Sequence, residues 1–424
     1  PNAQVNVGSL AASTADIANE NFMQGKYKFD QPSAYNGKVI NHGKISAKDN
    51  GLIALIGSKV INDGMIQAKS GKVVLASGRN VTLDFCGDGL ISFSVPDVEL
   101  NDGVVLVSTD SLNTVLDGVI NTNGFAKATT VQSEDGKVIF SGGNIDVSGE
   151  NGGGTVLINA KNTVVTKEAT INADARSSGD GGKVIIYADK SNFFEGPVSA
   201  HGGKNSGKGG FLEVSGKENL HYDAHIDLTA TQGTVGTLLL DPQFLVVATA
   251  GGSAYSAGVN NLFANNSGGT NTLTPASIVA AFVGANVVLQ ANTDVTFTDV
   301  LTSGTAGRTL TVNAGRSILV NANVSTVNGA ISMTANDPTA ISADRLSGVG
   351  NISVAPGVAI SSGTGSLSLI VDPSVVAPCS PGDITLGALT GGAVSLSTPN
   401  AVTGVDNIAA SAGLTVNVGT ASSL

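Results

Sequence analysis

Tryptophan is absent from this 424-residue sequence, aromatic residues make up 4% of it, and charged residues only 13%. An ordinary globular enzyme carries roughly twice that charge. The 55 glycines have no period of three, which excludes a collagen-like triple helix. No apolar run reaches the ~18 residues needed to span a bilayer as a helix, and no charged-then-apolar export segment opens the chain at Pro1. Basic residues are scarce: the net charge is −11, and no lysine follows Lys217. That balance argues against nucleic acid and anionic membrane surfaces as partners. Yet 41% of the residues are hydrophobic, too many for a disordered chain. Small, β-branched and turn-forming residues dominate, a composition suited to a narrow core wrapped by many tight corners.

Internal repetition gives that core its form. Lys38-Val39-Ile40-Asn41-His42-Gly43-Lys44-Ile45 recurs 21 positions later as Lys59-Val60-Ile61-Asn62-Asp63-Gly64-Met65-Ile66. A third copy is expected at Val119-Ile120-Asn121, and the same 21-residue beat links Leu310, Ile331 and Ile352. A unit this short has no room for a strand–helix–strand crossover. It fits three strands and three turns, one rung of a stacked solenoid. The fold predicted is all-β, a right-handed parallel β-helix of ~21-residue rungs forming a rod roughly 80 Å long. Asn41 over Asn62 then predicts a structural amide ladder along a turn, with ligand binding as the alternative. In such a rod Cys86 and Cys379 stand about 12 coils, or ~55 Å, apart, too far for a disulfide.

Composition shifts near residue 241. Residues 1–240 hold 19 Lys/Arg and 25 Asp/Glu, whereas residues 241–424 hold 3 and 8. Two domains are expected, 1–240 and 241–424, with the β-helix running through both. Two decorations are expected on the rod. Thr274-Pro275 followed by Ala276-Ser277-Ile278-Val279-Ala280-Ala281-Phe282 reads as an N-cap, a proline at the first helical position and good helix formers. Phe22, Tyr27, Phe29 and Tyr35 around Gly25 read as a small β-hairpin packed on a coil.

Reactive chemistry is thinly represented. His221-Tyr222-Asp223-Ala224-His225-Ile226-Asp227 is the strongest metal candidate, but on one strand the two imidazoles stand about 13 Å apart. Its even positions are apolar, which predicts a half-buried strand with a polar outer face. Asp84 and Asp88 beside Cys86 make at best a loop pair, and His42 and His201 fall in turns. Gly152-Gly153-Gly154 and Gly179-Asp180-Gly181-Gly182 lack the lysine of a phosphate loop and the nine-residue period of calcium-binding repeats, and read as tight turns. No catalytic, metal or cofactor residue is predicted, and no enzyme. Phe193, Phe194 and Tyr222 are the candidate glycan contacts, on the expectation that one ring of the adjacent pair points outward. Asn80, Asn265, Asn323 and Asn351 open Asn-x-Ser/Thr sites and are candidates for glycosylation.

The residues also carry a resemblance. Ala3-Gln4-Val5-Asn6-Val7-Gly8-Ser9-Leu10, Asp16-Ile17, the Phe22 to Phe29 segment, Gly51-Leu52-Ile53-Ala54-Leu55-Ile56-Gly57 and Asn80-Val81-Thr82-Leu83-Asp84-Phe85 resemble the secretion domain of filamentous-haemagglutinin-like proteins. The Leu240-Asp241-Pro242 junction and the repeats beyond it are similar to the high-molecular-weight adhesin branch of that family. The resemblance implies two-partner secretion: an outer-membrane transporter recognises the N-terminal domain and passes the chain through unfolded. Few cysteines and rungs that contact only their neighbours suit that route. The family's Asn-Pro-Asn-Gly segment lies upstream of the Ala3 stretch and is not in this sequence. The chain is therefore expected to be truncated at both ends, its N-terminal rung uncapped, and a part of a longer fibre.

The implied function is that of a secreted adhesin segment at the bacterial cell surface, in biofilm or virulence. It would attach to cells, surfaces or matrix polysaccharide without a cofactor, with host or bacterial surface glycans as partners and end-to-end self-association as a further contact. The alternatives are the stalk of a contact-dependent toxin-delivery exoprotein and, third, a polysaccharide-active β-helix enzyme.

Overall fold

The computed structural model describes residues 3–31, 38–57, 59–62, 65–69, 71–77, 80–83, 92–94, 98–101, 104–107, 120–122, 137–140, 143–249, 271–375, 377–404 and 406–419. The chain forms two compact units: Pro1–Glu213 with Ala224–Gly236, and Val214–Asp223 with Thr237–Leu424. Each is built of short strands stacked in parallel, coil upon coil, as a parallel β-helix.

In the first unit Lys38–Asn41 lies on Lys59–Asn62 with Val39 opposite Val60, Ile40 opposite Ile61 and Asn41 opposite Asn62. The 21-residue repeat is thus one turn of the solenoid there. Leu52–Gly57 is held between Leu10–Ser13 and Lys72–Ser77. The next strand on Lys72–Ser77 is Thr155–Val165, with Lys72 opposite Thr155, and Lys183–Phe194 follows with Thr155 opposite Lys183. A second sheet stacks Gly143–Asp146, Ala169–Asn172, Val198–Ser199 and Ile226–Asp227. The run Leu52-Ile53-Ala54-Leu55-Ile56 is apolar at every position because both of its faces are covered. Ile53 and Leu55 face the core, and Leu52, Ala54 and Ile56 pack with Val74 under Tyr27 and Phe29.

Those rings belong to an antiparallel decoration in which Tyr27–Gln31 pairs with Asp16–Ile17 on one side and Asn80–Leu83 on the other. The expected hairpin over residues 21–35 is corrected in its first arm: Asn19–Met23 is a short helix, α1. Gly25 takes the left-handed conformation that turns the chain into the strand, φ 70°, and Phe22 meets Tyr27 edge-on with ring centroids 6.1 Å apart.

The second unit stacks Thr237–Asp241, Asn286–Ala291, Leu310–Ala314, Ile331–Ala335, Leu367–Val371, Ala388–Thr398 and Ile408–Val418 in one sheet. Buried and half-buried residues alternate along the first five of them, so Leu310, Val312 and Ala314 line the core while Thr311 and Asn313 face out. A second sheet stacks Leu245–Val247, Val295–Phe297, Ile318–Val320, Gly348–Val354, Cys379–Leu386 and Val402–Gly404. The expected helix is α2, Pro275–Gly284, with Thr274 as N-cap and Pro275 in the first turn. Its C-terminal carbonyls, on Phe282 and Val283, accept from the Arg308 guanidinium. Replacing Thr274 by Ala removes the acceptor for the Ser277 N–H at 3.2 Å. The unfolding midpoint of the variant in urea should fall by the equivalent of about 1 kcal/mol; an unchanged midpoint would show that this cap contributes nothing.

Two register expectations are corrected. Ile120 stands opposite Val60, not Ile61, so the third copy is slipped by one residue. Leu310 and Ile331 pair as expected, but Ile331 continues onto Leu367, whereas Ile352 pairs with Ile318 in the other sheet. The coil after Ile331 is longer than 21 residues. A loop at residues 336–347, with a 3-10 turn at Ser342–Asp344, has been let into it.

Candidate functional surface

The backbone ladder of a β-helix breaks at every corner, and orphaned N–H groups there need an acceptor. At several corners of both units that acceptor is the side chain of a short polar residue on the adjacent coil, and at others it is a backbone carbonyl. Ser9 Oγ accepts from Leu52 N–H at 2.9 Å, Ser148 Oγ from Asp174 at 3.1 Å and Asp180 Oδ1 from Lys208 at 2.7 Å. In the second unit Asn286 accepts from Thr309 at 3.0 Å, Asn323 from Ala359 at 2.8 Å, Asn328 from Thr364 at 3.0 Å and Asn351 from Asp383 at 2.8 Å. The abundance of Asn, Ser, Thr and Asp in the sequence is to this extent structural. Asn41 Oδ1 accepts from Gly43 N–H within its own turn at 3.0 Å. Its register partner Asn62 is placed by backbone pairing alone.

Corners of the first unit are also lined by glycine. A Cβ on Gly51 would lie 2.2 Å from Gly8 O. The same contact recurs as Gly71 on Gly51 O, Gly154 on Gly71 O, Gly182 on Gly154 O, Gly210 on Gly182 O and Gly236 on Gly210 O, at 2.0 to 2.2 Å. These glycines form one column in which successive backbones touch, and the Gly-rich runs serve that contact.

A hydroxyl, a carboxylate and an imidazole come together at Ser199, Asp174 and His201. Ser199 Oγ donates to Asp174 Oδ1 at 2.6 Å, His201 N–H donates to the same oxygen at 3.0 Å, and His201 Nε2 stands 3.5 Å from Asp174 Oδ2. Nucleophile activation needs the imidazole next to the hydroxyl. Here the carboxylate separates them, and His201 Nδ1 lies 3.1 Å from Gly202 O. The group ties neighbouring coils together, as does the Arg176–Asp146 pair at 3.3 Å beside it.

The 221–227 segment forms two strands, Asn219–Tyr222 and Ile226–Asp227, not one. Leu220, Tyr222, Ala224, Ile226 and Leu228 are buried, while His225 and Asp223 are exposed. Among the described residues no three His, Cys, Asp or Glu side chains gather as a metal site.

The candidate glycan contacts are corrected. Phe193, Phe194 and Tyr222 are 2%, 0% and 2% exposed and offer no outward ring. Strand alternation does place Phe193 and Phe194 on opposite faces, but they stack on Val164 and Val165, which are buried as well, so both faces are covered there. Burial, with a smaller contribution from the Asp223 charge, raises the Tyr222 phenol above its ordinary pKa. Half-exposed rings stand instead at Tyr187 and Phe211, the latter with Lys183 Nζ 5.5 Å above it. The signal for them was strand alternation, since each falls at the outward position of its strand.

Of the glycosylation candidates, Asn80 begins the strand Asn80–Leu83, and Asn265 lies outside the described residues. The Asn351 amide is engaged at both ends, through Oδ1 as above and Nδ2 to Val349 O at 3.4 Å. Cys86, Asp84 and Asp88 also lie outside the described residues. Cys379 is a buried free thiol whose Sγ donates to Leu346 O at 3.1 Å, and burial pushes its pKa up.

Coils stacked in parallel around a buried core and clamped at their corners make each unit a β-helical solenoid. Residues 1–158 match the family model described as the TPS secretion domain. The match supports a secreted two-partner-secretion exoprotein of the filamentous-haemagglutinin type, exported through an outer-membrane two-partner transporter. No curated protein matches the chain. Among the described residues no helix is long and apolar enough to cross a membrane.

Proposed function

We propose that the chain is a cell-surface adhesin segment that attaches to cells, surfaces or matrix polysaccharide and runs no reaction. The observation that carries this reading is the secretion-domain match at 1–158 together with stacked coils in the second unit, which present Thr311, Ser332, Ser368 and Ser395 as an outward polar, uncharged column over several rungs. Repeated weak contacts along such faces add through avidity and need no single pocket. End-to-end association of copies, rung edge to rung edge, belongs to the same proposal.

The test has two parts. The chain expressed with its outer-membrane transporter should reach the cell exterior, and without the transporter it should not; export in both cases would overturn the route. Beads coated with the purified chain should settle on cell-coated or polysaccharide-coated glass several-fold better than uncoated beads. Equal settling would overturn adhesion.

A further inference from the structure

Polar side chains of the second unit divide into two populations. Those at the corners are spent on the neighbouring coil, as Asn286, Asn323, Asn328 and Asn351 show. Those on the outer face of the first sheet are not. Thr311, Ser332, Ser368, Ser395 and Thr415 stand opposite one another rung by rung in a single column. Among the described residues none of these five hydroxyls makes a hydrogen bond to the protein. Two positions further along each strand runs a second column with Asn313, Thr334, Ser397 and Asn417, interrupted only by Ile370. Its polar side chains are equally unspent. Ser397 and Asn417 also line a shallow cleft of about 220 Å³ with Pro373 and Pro399.

Parallel stacking fixes the spacing at ~4.8 Å along each column and ~6.6 Å between columns. The two columns contain no ionisable residue, so they offer hydrogen bonds to an uncharged partner without attracting an ion. Hydroxyls and amides both donate and accept, as do the hydroxyls of a sugar chain, and an extended polymer can follow a straight column for many rungs.

We propose that this face binds a neutral, extended polysaccharide lying along the columns. The proposal rests on the adhesion reading and names its surface and ligand class. Corner residues hold the coils; the sheet-face hydroxyls hold the glycan. Each contact is weak and the sum over five rungs is not.

The test uses the full chain immobilised, with a soluble β-glucan as the neutral probe and alginate as the acidic one. Thr311→Val, Ser332→Ala, Ser368→Ala and Ser395→Ala are combined in one variant. Thr296→Val, Ser353→Ala and Thr385→Val on the other sheet form the control, and circular dichroism melts establish that both fold. The glucan should bind the parent, bind the column variant at least tenfold more weakly, and bind the control within twofold of the parent. Binding that survives the column variant would overturn the assigned face and leave adhesion standing. Preference for alginate would overturn the neutral ligand. A parent that binds neither polymer would overturn the proposal outright, while the bead assay separately decides adhesion.

Discussion

Gly182→Ala should destabilise the first unit by about 3 kcal/mol, an effect out of proportion to one methyl group. The added Cβ would stand 2.1 Å from Gly154 O and 2.8 Å from Ala173 Cβ. Neither neighbour is a flexible side-chain end. Reaching ordinary contact at 3.4 Å requires the coils to part by about 1.3 Å, the difference between 3.4 and 2.1. That separation breaks the hydrogen bond from Lys183 N–H to Gly154 O at 2.9 Å, and moving Gly182 off Ala173 Cβ strains the bond from its own N–H to Ala173 O at 2.7 Å. One lost and one strained bond, at up to about 1 kcal/mol each, with the overpacking strain of a close-packed site, give the stated magnitude. Gly304→Ala is the matched comparison, because nothing lies within 4 Å of its added Cβ; its cost should stay within ~0.5 kcal/mol. Urea unfolding followed by circular dichroism reads both. A Gly182→Ala midpoint equal to that of Gly304→Ala would mean that the glycine column is not a contact the fold depends on.

The second large effect is expected at Phe194. Truncating a ring that is 0% exposed removes its transfer free energy and leaves a cavity, so Phe194→Ala should cost about 3–5 kcal/mol. Phe22→Ala removes the same atoms from a site that is 56% exposed and should cost under ~1 kcal/mol. Thermal melts of the two variants distinguish a core ring from a surface ring directly. If Phe194→Ala melts with the parent, the burial of that ring carries no stability.

These two residues also mark how far the sequence could be read. A one-turn offset of 21 was legible because Lys38–Asn41 and Lys59–Asn62 are near-copies, and stacked strands must repeat their inward pattern. Helix α2 was legible because its capping residues are local. The glycine runs were legible as turns; their function as a column was not, although Gly179-Asp180-Gly181-Gly182 and Gly207-Lys208-Gly209-Gly210 recur 28 positions apart. Coil length was not legible. It is set by how much chain bulges out at corners, and side-chain alternation says nothing of that, so Ile352 was assigned to the wrong sheet. Phe193 and Phe194 failed for a related reason: alternation gives the face on which a ring lies, but not whether a neighbour covers that face.

The strand after Lys72–Ser77 in the stack is Thr155–Val165, 83 residues on, whereas Leu52 to Lys72 spans 20. Closure entropy grows only with the logarithm of loop length, so two doublings of the connecting chain cost roughly 1.2 kcal/mol. Core register survives because inward residues resume their columns wherever the chain re-enters. A coil corner is therefore a permissive address for foreign sequence. A grafted epitope or a small folded module let in between the exposed Ser342 and Ala343, with the buried anchors Asn336, Asp337 and Arg345 of the 336–347 loop left in place, would be carried outside the cell at little thermodynamic penalty, provided that it crosses the transporter unfolded.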